Sequence, residues 1–187
     1  MKSAHWFALW LFPALLSVPL AGLCDRICIE AESADNIAEP MIRVEGAAGD
    51  QDAVKGASGG AYLEIPEGRG NPPKVNAGSA TFRFKLAEDA DLVLWCRVWW
   101  NGECSNSFAM QVDDSVPFTF GQDGTYHAWH WVKAPPNIKC LKLARGEHTL
   151  TVSNREDGVR LDQILLITDK KYVPVDVEAP SQPRAGQ

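Results

Sequence analysis

The chain has 187 residues, 18 Lys+Arg against 24 Asp+Glu and a formal net charge of −6, with no Lys/Arg-rich block. This excludes the basic balance that nucleic acid or an anionic membrane surface demands of a partner. The length suits one domain with its own core and leaves no need for a second.

Met1 and Lys2 precede an apolar run over 6–23, broken only by Pro13, Ser17, Pro19 and Gly22. A short basic start, an apolar stretch and small residues make up the layout of an export signal. Two prolines inside the run, and the immediate passage into a polar domain, argue against a membrane span. Cleavage is expected near 22–24, so residues 1–24 leave as a signal peptide and the mature chain is secreted, periplasmic or at the cell surface. Residues 25–172 form the expected domain. Pro174, Pro180 and Pro183, with little apolar surface around them, mark 173–187 as a loosely ordered tail.

From Ile27 onward the apolar period is two rather than 3.6. Phe82, Phe84 and Leu86 alternate with Thr81, Arg83 and Lys85, a half-buried strand. Leu92, Leu94, Cys96, Val98 and Trp100 form the next set, joined to the first by a hairpin loop at 88–91. Strands are also expected at 27–32, 62–65, 108–112, 117–120, 129–132, 138–143 and 149–153. The last strand, 159–167, is nearly apolar on both faces and is expected to lie centrally in its sheet. Residues 46–60, with five glycines, and 67–78, with Gly, Pro and Asn, are expected to be surface loops. Ten short strands and no convincing amphipathic helix predict an all-β, two-sheet antiparallel sandwich of the jelly-roll class.

If Cys24 leaves with the signal, Cys28, Cys96, Cys104 and Cys140 remain, an even number that predicts two disulfides in an exported protein. Three pairings are possible. A zinc site is excluded because only Cys24 and Cys28 are closely spaced. The segment 56–60 matches G-x-S-x-G, but a glycine-rich loop leading into a strand lacks the strand-to-helix turn that makes this motif catalytic. His127 and His130 are too few for a catalytic zinc and, three apart on a strand, face opposite sides.

Five of the seven tryptophans, Trp95, Trp99, Trp100, Trp129 and Trp131, fall within 95–131. Some fill the core; the others suit sugar stacking, since an indole meets the C–H face of a pyranose while nearby polar groups meet its hydroxyls. Asn101, Asn106, Asn154, Arg155, Glu156 and Asp157 are the loop residues placed to do so. Glu30 and Glu32 share one strand face and, with Asp162, would suit a hard cation such as Ca²⁺, which takes about 6 to 8 oxygen ligands.

The opening Ile29-Glu30-Ala31-Glu32, the small-residue loop before Ala61-Tyr62-Leu63, the Arg97 strand, the Gly146-x-His148 turn and the closing Arg160-Leu161-Asp162-Gln163-Ile164 resemble carbohydrate-binding modules of families six and thirty-five. The likeness spans roughly 27–168, with the galactose-binding-domain-like jelly roll as its fold. It implies a structural calcium held by Glu30, Glu32 and Asp162. It also implies a glycan site in the loops at one end, here Trp100, Asn106, Trp129, Asn154, Arg155 and Glu156. Arg155 and Arg160 either select an acidic sugar or pair internally with neighbouring carboxylates.

A non-catalytic module binding a polysaccharide or other glycan is therefore the expected function. The alternative is an exported structural or adhesion domain that contacts another exported protein through its aromatics. Catalysis is not expected, because Glu156 and Asp157 are adjacent on one loop and a glycosidase pair must face across about 5 to 9.5 Å.

Overall fold

The computed structural model describes residues 26–70 and 77–181. The expected signal, with Cys24, and residues 182–187 of the expected tail lie outside the described residues. Among the described residues no helix is long and apolar enough to cross a membrane.

The strands, in chain order, are β1 (Arg26–Glu30), β2 (Asn36–Ala38), β3 (Ile42–Glu45), β4 (Ala61–Ile65), β5 (Ser79–Leu86), β6 (Ala90–Trp100), β7 (Ser107–Val112), β8 (Phe118–Gly121), β9 (His130–Lys133), β10 (Leu141–Leu143), β11 (Gly146–Ser153) and β12 (Val159–Ile167). They form two antiparallel sheets. The five-stranded sheet runs β2-β5-β11-β7-β8. In the seven-stranded sheet β6 and β12 lie side by side at the centre, β4 and β1 share the far edge of β12, and β9 and β10 share the far edge of β6. The jelly-roll sandwich and the central place of β12 are as the sequence predicts. β2 and β3 escape prediction because three or four residues are too few to establish a period.

Alternation decides which side chains meet. Ala80, Phe82, Phe84 and Leu86 of β5 point inward against Leu92, Leu94, Cys96, Val98 and Trp100 of β6, with Phe108, Met110, Leu150, Val152, Leu161 and Ile164 completing one core between the sheets. The opposite face of β6 is also covered. Val93 and Trp95 pack with Cys28, Leu165 and Ile167, and Trp99 packs with Val44, Ala53 and Tyr62. A register shift between Leu161 and Gln163 inserts Asp162 as an extra residue. The bulge keeps Leu161 and Ile164 in the core while Asp162 and Gln163, both 0% exposed, avoid it.

The loop expected at 46–60 contains a short helix, α1 (Gln51–Gly56). Asp50 caps it by accepting the N–H groups of Asp52 and Ala53 at 3.0 and 3.3 Å. The tail expected to be loose from 173 is instead docked through 181: Glu178 bonds to Gln163, and Ser181 to Cys28.

The expected disulfides are a second correction, since all four described cysteines are free. Cys28 and Cys96 belong to clusters on opposite faces of the seven-stranded sheet, with β12 between their strands. Cys104 follows the far end of β6, whereas Cys140 precedes Leu141, which pairs with Leu92 near its start. That separation is on the order of 25 Å at about 3.3 Å per residue, beyond the reach of a disulfide.

Candidate functional site

Four connections gather at one end of the sandwich: the β4–β5 loop, the β6–β7 loop at 101–106, the β8–β9 loop at 122–129 and the β11–β12 loop at 154–158. Glu156 is the hub. Its Oε2 accepts the Asn106 N–H at 2.9 Å and the Ser107 hydroxyl at 2.7 Å, and its Oε1 accepts from Arg155, which also donates to Ser107 Oγ. Asp123 forms the second node. It receives the Trp100 indole N–H at 3.3 Å, the Thr125 N–H at 2.9 Å and, on both carboxylate oxygens, His130 Nε2 at 3.1 and 3.2 Å. Asn106 Nδ2 reaches the Asp123 carbonyl at 3.4 Å and joins the two nodes. Asp157 accepts the Gly68 N–H at 2.9 Å. Gly158, at φ +68°, leaves room for this packing: a Cβ there would stand 2.2 Å from Glu67 Oε2 and 3.0 Å from Ser105 Oγ.

Asn106, Arg155 and Glu156, three of the residues expected at a glycan site, are thus bonded to one another. Asn154 lies beside them, bonded to Gly78 and Ala77 of the β4–β5 loop. Trp100 is a correction: it is 0% exposed, packed 5.4 Å from Phe108 and 6.2 Å from His130, and cannot present a face to a sugar. It supports the site from beneath. The Trp129 ring lies on the outer face of the seven-stranded sheet, edge-on to Tyr62 and Trp99 at 5.6 and 5.8 Å, with its N–H on the Ala53 carbonyl at 2.8 Å. It is half-buried there, against α1. The aromatic side chains that the β8–β9 loop does bring to the site end are Tyr126, half-buried, and His127, exposed at φ +55°. The His127 N–H on the Trp100 carbonyl, at 2.9 Å, fixes that loop. A Gly-Gln-Asp-Gly run at 121–124 signals the turn, but nothing local shows that Tyr126 and His127 follow at the rim.

Neither arginine is free for an acidic ligand. Arg155 is held by Glu156 and Ser107, while Arg160, 7% exposed, bonds Glu64 at 3.0 Å and Asp50 at 3.5 Å and lies over Tyr62 and Trp99. Internal pairing prevails.

Glu30 and Asp162, two of the three carboxylates singled out for a cation, meet at the loop that leads into β4. Ser58 donates its hydroxyl to Glu30 Oε1 at 2.8 Å and its N–H to Asp162 Oδ1 at 2.8 Å, which leaves the apparent hydrolase motif a structural loop. Glu30 Oε1 also accepts from Gln163 at 2.9 Å. Asp162 Oδ2 takes Arg97 at 2.5 Å. Burial pushes Glu32 up to about 7, and it pushes Asp162 up to about 6 although Arg97 pulls the other way. Oε2 of Glu30 and Oε2 of Glu32 are buried without a hydrogen-bond partner.

These orphaned oxygens fit a hard cation. Asp162 fits less well, because both its oxygens are engaged and one carries a guanidinium. Among the described residues no three His, Cys, Asp or Glu side chains are grouped to hold a metal.

No protein-family model matches the sequence, and no curated protein is similar enough to match it. Solved structures do match in fold, among them an isolated carbohydrate-binding module and several enzymes that act on polysaccharides or oligosaccharides. The GH26-CBM35 β-(1,4)-mannanase of Podospora anserina aligns at TM-score 0.57 and 17% identity, over 85% of this chain and 29% of that one. An exo-β-1,3-galactanase of Phanerochaete chrysosporium aligns at 0.54 and 16%, over 75% and 29%. The C-terminal CBM6 of the laminarinase LamC from Zobellia galactanivorans aligns at 0.51 and 11%, over 76% of this chain and 98% of that module. The chain therefore spans under a third of the two larger enzymes and corresponds to nearly the whole of the isolated module. It has the fold of the family six and family thirty-five type.

Proposed function

We propose that this is an exported, non-catalytic glycan-binding protein whose site is the loop end around Glu156. The observation that carries the reading is the preorganised polar loop end of a jelly roll of the carbohydrate-binding type, where the partly exposed Arg155 and Glu156 are held in place by the buried Asn106 and Ser107 and the neighbouring β8–β9 loop carries Tyr126 and His127. Fixed polar groups with aromatic side chains on a neighbouring loop are what a sugar requires, its hydroxyls being costly to leave unpaired and its C–H face apolar. The ligand is an uncharged glycan. Arg155 is already neutralised, and Glu67, Asp123, Glu156 and Asp157 oppose a uronate carboxylate.

Catalysis is not part of the reading, because Glu156 and Asp157 are neighbours occupied by local donors rather than a facing pair. We further propose that Ca²⁺ sits between Glu30 and Glu32, where it would satisfy their unpartnered oxygens and brace β1 against the loop ahead of β4. Export rests on the apolar run at 6–23.

A glycan array spanning neutral and uronate-rich polysaccharides, probed with the wild type and with Tyr126→Ala and Glu156→Gln, tests the reading. Retention on neutral glycans that both variants lose supports it. If the folded protein binds no glycan, the reading fails in favour of an exported protein partner, sought next by pull-down.

A further inference from the structure

The segment 172–181 is amphipathic in reverse. Val173, Val175 and Val177 are 63%, 83% and 47% exposed, while Tyr172 and Glu178 are half-buried against the protein. Glu178 is the knot that holds it. Its carboxylate accepts from Tyr172 Oη and from Arg26, each at 2.5 Å. Its backbone N–H and C=O pair with the two ends of the Gln163 amide at 2.9 and 2.8 Å, as a neighbouring strand would. Farther on, Ser181 exchanges two bonds with the Cys28 backbone at 2.8 and 2.9 Å, and nearer the start Trp131 donates its indole N–H to the Asp176 carbonyl at 2.8 Å.

This arrangement closes an edge. The sheet partner of β1 is β12, and on its other side the segment takes up the Cys28 N–H and C=O. An open edge of this kind invites pairing with another chain, and covering it is a common remedy. Of its apolar side chains only Tyr172, packed against the Cys28 cluster, and Pro174 are covered, so its attachment rests on these two contacts and on polar ties that are modest in net free energy. The sandwich beneath is held by the full core. Elements attached in this way open locally at a lower free energy than global unfolding.

We propose that residues 172–181 are a strap that opens as a unit while the sandwich stays folded, and that its opening uncovers the β1 edge and the Cys28 thiol. Cys28 is 2% exposed, and its Sγ lies 4.0 Å from the Glu178 carbonyl, so strap position controls access to it. Cys96, 0% exposed in the core on the other face of the sheet, is reached only by unfolding the sandwich.

The two cysteines make the test internal to one molecule. The full chain carrying Cys24→Ser, Cys104→Ser and Cys140→Ser is exposed to a maleimide under native conditions, and labelling at Cys28 and Cys96 is followed by peptide mass spectrometry. Cys28 is expected to label at least about tenfold faster than Cys96, with Glu178→Ala raising the Cys28 rate by about another tenfold and leaving that of Cys96 unchanged. Trp131→Phe, which removes one tie and keeps an aromatic ring, is expected to act in the same direction by a smaller factor. Equal labelling of the two cysteines in the parent, or an equal acceleration of both in the variants, overturns the proposal, because the strap would then melt only with the sandwich.

Discussion

Arg97→Met isolates the energetics of the buried carboxylates. The Arg97 side chain is 11% exposed and Asp162 is 0% exposed. Arg97 also donates to the Gly56 carbonyl at 3.0 Å and lies 5.5 Å over the Trp129 ring. Methionine retains much of the packing volume but strands the Asp162 charge beside Glu30, with the Ser58 N–H as its remaining donor. Removing one partner of a buried pair costs about 3–5 kcal/mol, a large share of the ~5–15 kcal/mol that holds a domain together. The penalty belongs to the charged form, so it shrinks by about 1.4 kcal/mol for each pH unit over which Asp162 binds a proton in the folded state. Adding Asp162→Asn to Arg97→Met removes the stranded charge and is expected to recover most of the loss. The single variant also frees Asp162 Oδ2 for a cation. Calcium is therefore expected to raise the stability of Arg97→Met more than that of the wild type, the variant gaining about 2.7 kcal/mol at a hundredfold excess over its own dissociation constant. Urea unfolding followed by tryptophan fluorescence, near pH 7 and near pH 5, with calcium and with a chelator, supplies all of these numbers. A double variant no more stable than Arg97→Met, or a loss of the same size at both pH values, would refute the buried-charge account.

Trp100→Ala is expected to lose about 3–5 kcal/mol by denaturant unfolding, the cost of emptying a large buried aromatic site; a stable variant that lost only glycan retention would place Trp100 at the ligand after all. The chelated protein is expected to be most stable on the acid side of neutrality. Glu32 at about 7 and Asp162 at about 6 stay protonated in the folded state where the unfolded chain has released those protons, so stability falls as pH rises from about 4 to about 7. His148 works in the same direction: burial pulls it down, but bonds to Asp113 and the Ala144 carbonyl hold it above its ordinary value. Asp50, lowered chiefly by the Ala53 N–H, and Asp113, lowered by His148 and Thr149 against its burial, instead withdraw stability as pH falls below the ordinary carboxylate range. Melting temperatures across pH measure the balance, with Glu32→Gln expected to flatten the neutral limb.

Much of the architecture was legible before any coordinate. Alternation in 81–86 and 108–112 marks one covered face, and the doubly apolar 159–167 marks a strand enclosed on both sides. The cluster of Asn106, Arg155 and Glu156 was legible as loop residues but not as a network, because Ser107, at the start of β7, joins them only through folding. Glu30 and Asp162 meet through Ser58, but among the described residues the three carboxylates are not grouped as a metal site. That Arg97 had already engaged Asp162 was not readable, since its strand pairs with β12 across 65 positions of sequence.

What the sequence by itself determined is what side-chain alternation carries: the strands, their inward faces and hence the sandwich, because a period of two is a local property of extended backbone. The tertiary structure decided what covers the outward faces. In β6 alternation already sets Trp100 with Leu92, Leu94, Cys96 and Val98, but Val93, Trp95 and Trp99 on the other face are apolar too, so the pattern does not show what covers that second face. The placement of α1 over Trp99 and of the 172–181 strap beside β1, elements remote in sequence, determines how those side chains are covered and which edge is closed.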